Sequence, residues 1–179
     1  KVSVRKVQNG LLQTNAYIMP YFDVPLSHPH FEAVQKIGAT GILKGQGVPT
    51  GWANRTYFHP DSLVKRNELV NDLVPYYPIK NNQQKNIRLS EAIDLIIQMA
   101  VDNKFVDTNQ LKISASNYKW NFQNKALLTQ QIQQAWVFWK LGYFNINMPL
   151  TRLEFAVLFN ATIDPFNLKQ VNHQGVIIE

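Results

Sequence analysis

The segment FDVPLSHPHFEAVQKIGATGILKGQGVPTGWANRTYFHPDSLVKRNELVNDL, residues 22–73, carries the pattern that decides the fold. A short entry, Phe22-Asp23-Val24, leads to Ser27-His28-Pro29. Proline suits a first helical turn there, because its missing N–H has no intrahelical partner at that position. Phe31, Val34 and Ile37 share one face at helical spacing. Gly41 or Gly45 is placed to take the left-handed conformation that stops a helix. Residues 45–60 hold three glycines with Trp52, Tyr57 and Phe58 and read as a loop, closed by the turn signal His59-Pro60-Asp61-Ser62. A second helix is predicted over 64–74, burying Leu69, Val70 and Leu73.

Outward from this unit, KVSVRKVQ at the N-terminus alternates valine with polar residues and predicts a short strand or extended arm over 1–21. Residues 75–87 read as a linker. Leu89, Ile93, Ile96, Ile97 and Ala100 share a face, predicting a helix over 88–102. Residues 103–127 stay ambiguous. Ile132, Ala135, Trp136 and Trp139 line a helix over 129–142 that stops at Gly142. In the last helix Thr151 and Glu154 fit a capping box, the hydroxyl accepting from the backbone N–H of 154 and the carboxylate reaching back. Leu153, Ala156 and Val157 face inward, and Asp164-Pro165 ends the helical part. The tail over 166–179 holds Val176-Ile177-Ile178, predicted to return as a strand beside the N-terminal arm.

Composition narrows the function classes. The chain has 179 residues and is 45% hydrophobic, enough for a packed core. It has no cysteine, which excludes disulfides and thiolate metal sites. No apolar run is long enough to cross a bilayer. The first residue is Lys1, so the chain is expected to be a processed piece of something longer. The net charge of +6 favours anionic partners. The basic residues are scattered, however, with Arg5-Lys6 and Lys65-Arg66 as the longest pure runs, so nucleic acid is not the expected partner.

The helix-loop-helix pattern recurs near the C-terminus. IQQAWVFWKLGYF leads to MPLTRLEFAVLF, and both units open their second helix with a basic-X-Glu step, Arg66-Asn67-Glu68 and Arg152-Leu153-Glu154. The segment IRLSEAIDLIIQMA belongs to a degenerate central unit, either as its second helix, with Glu91 in the equivalent place, or as its first. Phe22-Asp23-Val24, Gly41-Ile42-Leu43-Lys44-Gly45, Phe58-His59-Pro60 and Thr151-Arg152-Leu153-Glu154-Phe155 together resemble S-layer homology repeats, over roughly half the chain. That resemblance implies a mainly α fold of helix-loop-helix repeats over 22–165, and grooves in which Arg66 and Arg152 hold an anionic cell-wall polysaccharide. Lys65 and Leu89 depart from the family pattern, which has threonine and arginine at these places. The run from Leu11 to Asp61 is also similar to the C-terminal region of secreted Bacteroidetes proteins of the FAD-dependent oxidoreductase and xanthan lyase type. It implies a secreted, periplasmic or cell-surface location, an upstream catalytic domain of the same chain as partner, and FAD in that parent with no cofactor in this part.

The residues themselves allow blander readings. His28 and His30 flank proline and read as capping and packing at a helix start rather than as metal ligands. Glu68, Glu91 and Glu154 in first turns read as caps placed for the helix dipole rather than as catalytic carboxylates. Trp136 and Trp139 read as core, whereas Trp52 in its glycine-rich loop and Tyr57 nearby are better placed to stack on a sugar. Neither a nucleophile elbow, a phosphate loop nor a zinc helix is present, and GATGILKGQG lacks the spacing of a dinucleotide fingerprint. The sequence therefore predicts a non-catalytic module with Arg66, Arg152, Trp52 and Tyr57 as ligand-binding residues. The rival expectation is a structural part of the parent enzyme that packs on and completes its flavin-bearing region.

Overall fold

A computed structural model of the chain describes residues 21–73, 85–102, 120–165, 170–171 and 177–178. The arm over 1–20, the linker core over 74–84 and most of the ambiguous stretch over 103–127 lie outside the described residues. The described chain forms helices α1 (Phe31–Ala39), α2 (Arg66–Leu73), α3 (Leu89–Asp102), α4 (Lys125–Phe138) and α5 (Arg152–Thr162). It also forms strands β1 (Gln46–Thr50), β2 (Ala53–Tyr57), β3 (Gln170–Val171) and β4 (Ile177–Ile178), in two antiparallel pairs, β1–β2 and β3–β4.

The expected mainly α fold of helix-loop-helix repeats is therefore corrected to a mixed α/β one. The stretch expected to be a loop is an antiparallel hairpin, Gln46 opposite Tyr57 through Thr50 opposite Ala53. Its two-residue turn begins at Gly51, whose φ of +62° only glycine adopts cheaply. The hairpin escapes sequence patterning because it stands free of the core: all five β1 residues and the first three of β2 are exposed. With neither face buried, no alternation of apolar and polar residues marks it. In the tail, Ile177–Ile178 pairs with Gln170–Val171; the N-terminal arm beside which it was expected lies outside the described residues.

Three helix starts meet at the centre. Val64 N–H donates to the Leu150 carbonyl (2.9 Å), Leu150 N–H to Ile87 (3.0 Å) and Ile87 N–H to Val64 (2.9 Å), closing a ring. All three residues are buried. A second tier runs in the opposite sense. The first N–H of each helix, on Arg66, Leu89 and Arg152, donates to Lys85, Met148 and Ser62 respectively. Helix-start amides that would otherwise be orphaned are thus satisfied by a neighbouring segment. In each helix the third residue reaches back to the cap amide: Glu68 to Lys65, Glu91 to Arg88 and Glu154 to Thr151, at 2.8–2.9 Å. Only Thr151 has a hydroxyl to complete the box, accepting from Glu154 N–H. Leu89–Asp102 begins with the same glutamate-to-amide bond as α2 and α5.

The core forms as the helical periods predict. Val34, Ile37, Ile93, Ile96, Ile132, Trp136 and Phe155 are fully buried, and α1 packs on α5. Leu69 is buried, whereas the side chains of Val70 and Leu73 lie outside the described residues. Lys36, wholly buried in α1, bonds Asp164 (2.9 Å) and Glu32 (3.0 Å), tying α1 to the end of α5. Tyr21, placed by the sequence at the end of an arm, is a core residue lying across Gly38 and Gly45. A Cβ at Gly45 would overlap its ring and come within 3.0 Å of the Tyr57 carbonyl.

Candidate functional site

The start of α5 faces the start of α2 across a half-open cleft of about 520 Å³. Its lining includes Lys44, His59, Lys65, Glu68 and Arg152, with Gln46 and Asn86 at its sides. Arg152 forms the floor. Its Nε donates to the Phe58 carbonyl (2.6 Å), Nη2 to the Lys44 carbonyl (2.6 Å) and Nη1 to Glu68 Oε1 (2.7 Å). The guanidinium also lies 4.8 Å from the centre of the Phe58 ring, and the residue is only 5% exposed. Arg152 therefore holds the cleft together and offers no open fork to a ligand.

Glu68 is neutralised from two sides, by Arg152 on Oε1 and by the Lys65 amide on Oε2. Lys44 and Lys65 are exposed at the rim, and among the described residues neither has a carboxylate within ion-pair distance. The balance of the cleft is positive. Asp23 shapes its far wall by accepting from the amides of Phe58 (2.8 Å) and His59 (2.7 Å). That clamp holds His59 in a left-handed conformation, φ +57°, with Nε2 3.1 Å from Gln46 Oε1 and its ring stacked on Tyr57. Burial pushes the Tyr21 hydroxyl up to about 12, against the opposing pull of Arg152, so it stays protonated beneath the site.

The sequence-predicted residues are not brought together. Arg66, the first residue of α2, is paired with Glu91 of α3, its side chain 17% exposed, and is outside the cleft lining. Leu89 occupies the third equivalent place and faces no such pair. Trp52 stands bare at the hairpin tip, fully exposed, and Tyr57 is half-buried beside His59. The tryptophans do not share a platform. Trp120 and Trp136 are buried, Trp139 packs against both, and Trp120 Nε1–H donates to the Ala161 carbonyl. Lys44, Gln46, His59 and Asn86 were missed as cleft residues. His59 stood in a turn motif, but nothing in its sequence neighbours signalled that the turn opens onto the start of α5.

No protein-family model, curated protein or solved structure matches this chain. The three first-turn glutamates each bond the cap amide of a separate helix. His30 Nε2–H donates to the Trp139 carbonyl (2.9 Å) and His28 Nδ1 accepts from His30 N–H (3.1 Å), so both rings pack at a helix start. Among the described residues no group of three His, Asp or Glu side chains is arranged for a metal. The glycine-rich segment does not fit a flavin or dinucleotide. It follows α1 rather than a strand, and the amides of Thr40, Gly41 and Leu43 already donate to the end of that helix. Among the described residues no helix is long and apolar enough to cross a membrane.

Proposed function

We propose that this chain is a non-catalytic, carbohydrate-associated module of a larger secreted bacterial enzyme, and that its cleft binds the acid groups of a polysaccharide. The observation carrying this reading is the charge balance of the cleft. Lys44 and Lys65 line it, while Glu68, its one lining acid among the described residues, is already neutralised by Arg152. Exposed lysines around a preformed concavity suit a carboxylate or pyruvyl group. The parent as an FAD-dependent oxidoreductase, and the cell surface as its location, rest on the resemblance of residues 11–61, and any FAD belongs to the upstream region.

Titration of the purified module with oligogalacturonate at low and high salt tests this. The expected result is binding that weakens with salt and is reduced at least about tenfold in a Lys44→Ser, Lys65→Ser variant. Wild-type protein that retains no acidic glycan at low salt refutes it. A second reading, that the module packs on the catalytic region, is favoured by one feature. Val137 and Phe138, adjacent at the end of α4, are each 76% exposed, and Tyr143 in the segment that follows is 81% exposed. Val137→Ser, Phe138→Ser would then impair turnover of the full-length enzyme while leaving glycan binding intact.

A further inference from the structure

The β1–β2 hairpin projects from the cleft with both faces of its outer part in water, yet it keeps a row of rings and one guanidinium on one of them. Alternation places Gln46, Val48 and Thr50 on the same face as their partners Tyr57, Arg55 and Ala53. Phe22 comes alongside, its N–H donating to the Thr56 carbonyl (2.8 Å). Arg55 lies 4.6 Å over the Phe22 ring, Phe22 meets Tyr57 edge-on at 5.8 Å, and Tyr57 stacks on His59 at 5.7 Å. His59 and Gln46 are already cleft residues. The row is thus continuous from the cleft outward, and Trp52 stands beyond it at the tip.

Folding does not explain this row. Phe22 is 63% exposed and Trp52 fully so, and a free two-stranded ribbon gains little from apolar residues left in water. Backbone pairing with another strand is also disfavoured. Pro49 sits where the ladder points its N–H outward, and the base of the β2 edge is met by Tyr21 and Phe22. Side chains are left to do the recognising. A guanidinium laid flat on a ring is held in place with its edge open to a carboxylate, and an aromatic face accepts the apolar face of a sugar ring. Among the described residues Arg55 has no carboxylate partner.

From this we infer that the Phe22–Arg55–Tyr57 face of the hairpin is a second binding subsite, which takes further acidic sugar units of the same chain that enters the cleft. The ligand is then a polymer rather than a single anion. The inference rests on the cleft reading proposed above, and at 3.4 Å per residue the five-residue strands add about 17 Å of track to it.

Binding of galacturonate disaccharide and hexasaccharide to the whole chain separates the two. Wild type is expected to bind the hexasaccharide at least about tenfold tighter than the disaccharide, since a second contact on one chain acts at high effective concentration. Arg55→Ser is expected to erase that gain and leave disaccharide affinity within about twofold, while Lys65→Ser weakens both oligomers. Arg55 is exposed, so the variant is expected to keep the wild-type melting curve, which circular dichroism verifies. Disaccharide binding without a length gain, or a gain that survives Arg55→Ser, overturns the second subsite and leaves the cleft standing. Neutral cellohexaose bound as tightly as the acidic hexasaccharide overturns the acid preference of the subsite. Failure of both acidic oligomers overturns the cleft reading, and this inference with it.

Discussion

Replacing Arg152 with alanine is the sharpest test of how the cleft is built. The side chain is buried and donates to two carbonyls and one carboxylate at 2.6–2.7 Å. Removing one member of a buried charged network costs about 3–5 kcal/mol, because the partners are left desolvated and unmatched. Glu68 is 35% exposed, so water recovers part of its loss, which places the cost near the lower end, about 3 kcal/mol. With a urea dependence of about 2 kcal/mol/M, the denaturation midpoint falls by about 1.5 M at unchanged slope. Arg152→Lys loses less, about 2 kcal/mol, since one ammonium reaches at most part of the fork's partners. Equilibrium urea unfolding followed by circular dichroism reads both. A loss below about 1 kcal/mol for the alanine variant would refute the reasoning: the guanidinium would be exchanging with water, as a surface arginine does, and open to a ligand.

Four further outcomes follow from other parts of the molecule. Asp23→Ala removes two charge-assisted bonds to the amides of Phe58 and His59 and is expected to cost about 2–3 kcal/mol by urea unfolding. Thr151→Ala, which breaks the one complete capping box, costs about 1 kcal/mol in the same assay. Trp52→Ser leaves stability within about 0.5 kcal/mol, because the side chain touches nothing it would lose. The His30 pKa is lowered by burial first and by neighbouring His28, against the raising effect of the Trp139 carbonyl. A depressed folded value means that the unfolded chain binds the proton more readily. Stability from this group is therefore complete above about pH 6.5 and is lost as pH falls through the folded value. His30→Gln is expected to flatten the stability profile below neutrality, and an unchanged slope there contradicts the assignment.

What the sequence revealed followed from how each signal is encoded. Leu89, Ile93, Ile96 and Ala100 mark α3 because burial of one helical face repeats locally, and Gly41 adopts φ of +74° as a helix stop should. The stop expected at Gly142 is corrected: α4 ends at Phe138, and Lys140, at φ +55°, takes the left-handed position after its cap. The Thr151–Glu154 box was readable for the same reason, both halves lying within one turn. The hairpin was hidden because strand patterning reports a buried face and this ribbon has none. Arg152 looked like a surface residue because a charged side chain in a first turn usually is one. Its burial comes from Phe58, Lys44 and Glu68, all more than eighty positions away. The central ring was invisible for a deeper reason: it is made of backbone groups, which every residue carries, and Val64, Ile87 and Leu150 differ from other apolar residues only in where the chain brings them.

That ring has a temporal consequence. Its three members are contributed by positions 64, 87 and 150, and each gives one bond and receives one, so no two of them make a closed set. A ribosome-bound chain that has released positions 64 and 87 but not 150 holds two helix starts with no third to complete the circuit. Such a chain gains little from partial order, since contacts of long sequence separation come last and cooperatively. The polypeptide thus commits itself only once position 150 is available. Arrested nascent chains would show this as protease resistance that appears abruptly once Leu150 has cleared the exit tunnel, rather than growing stepwise with length.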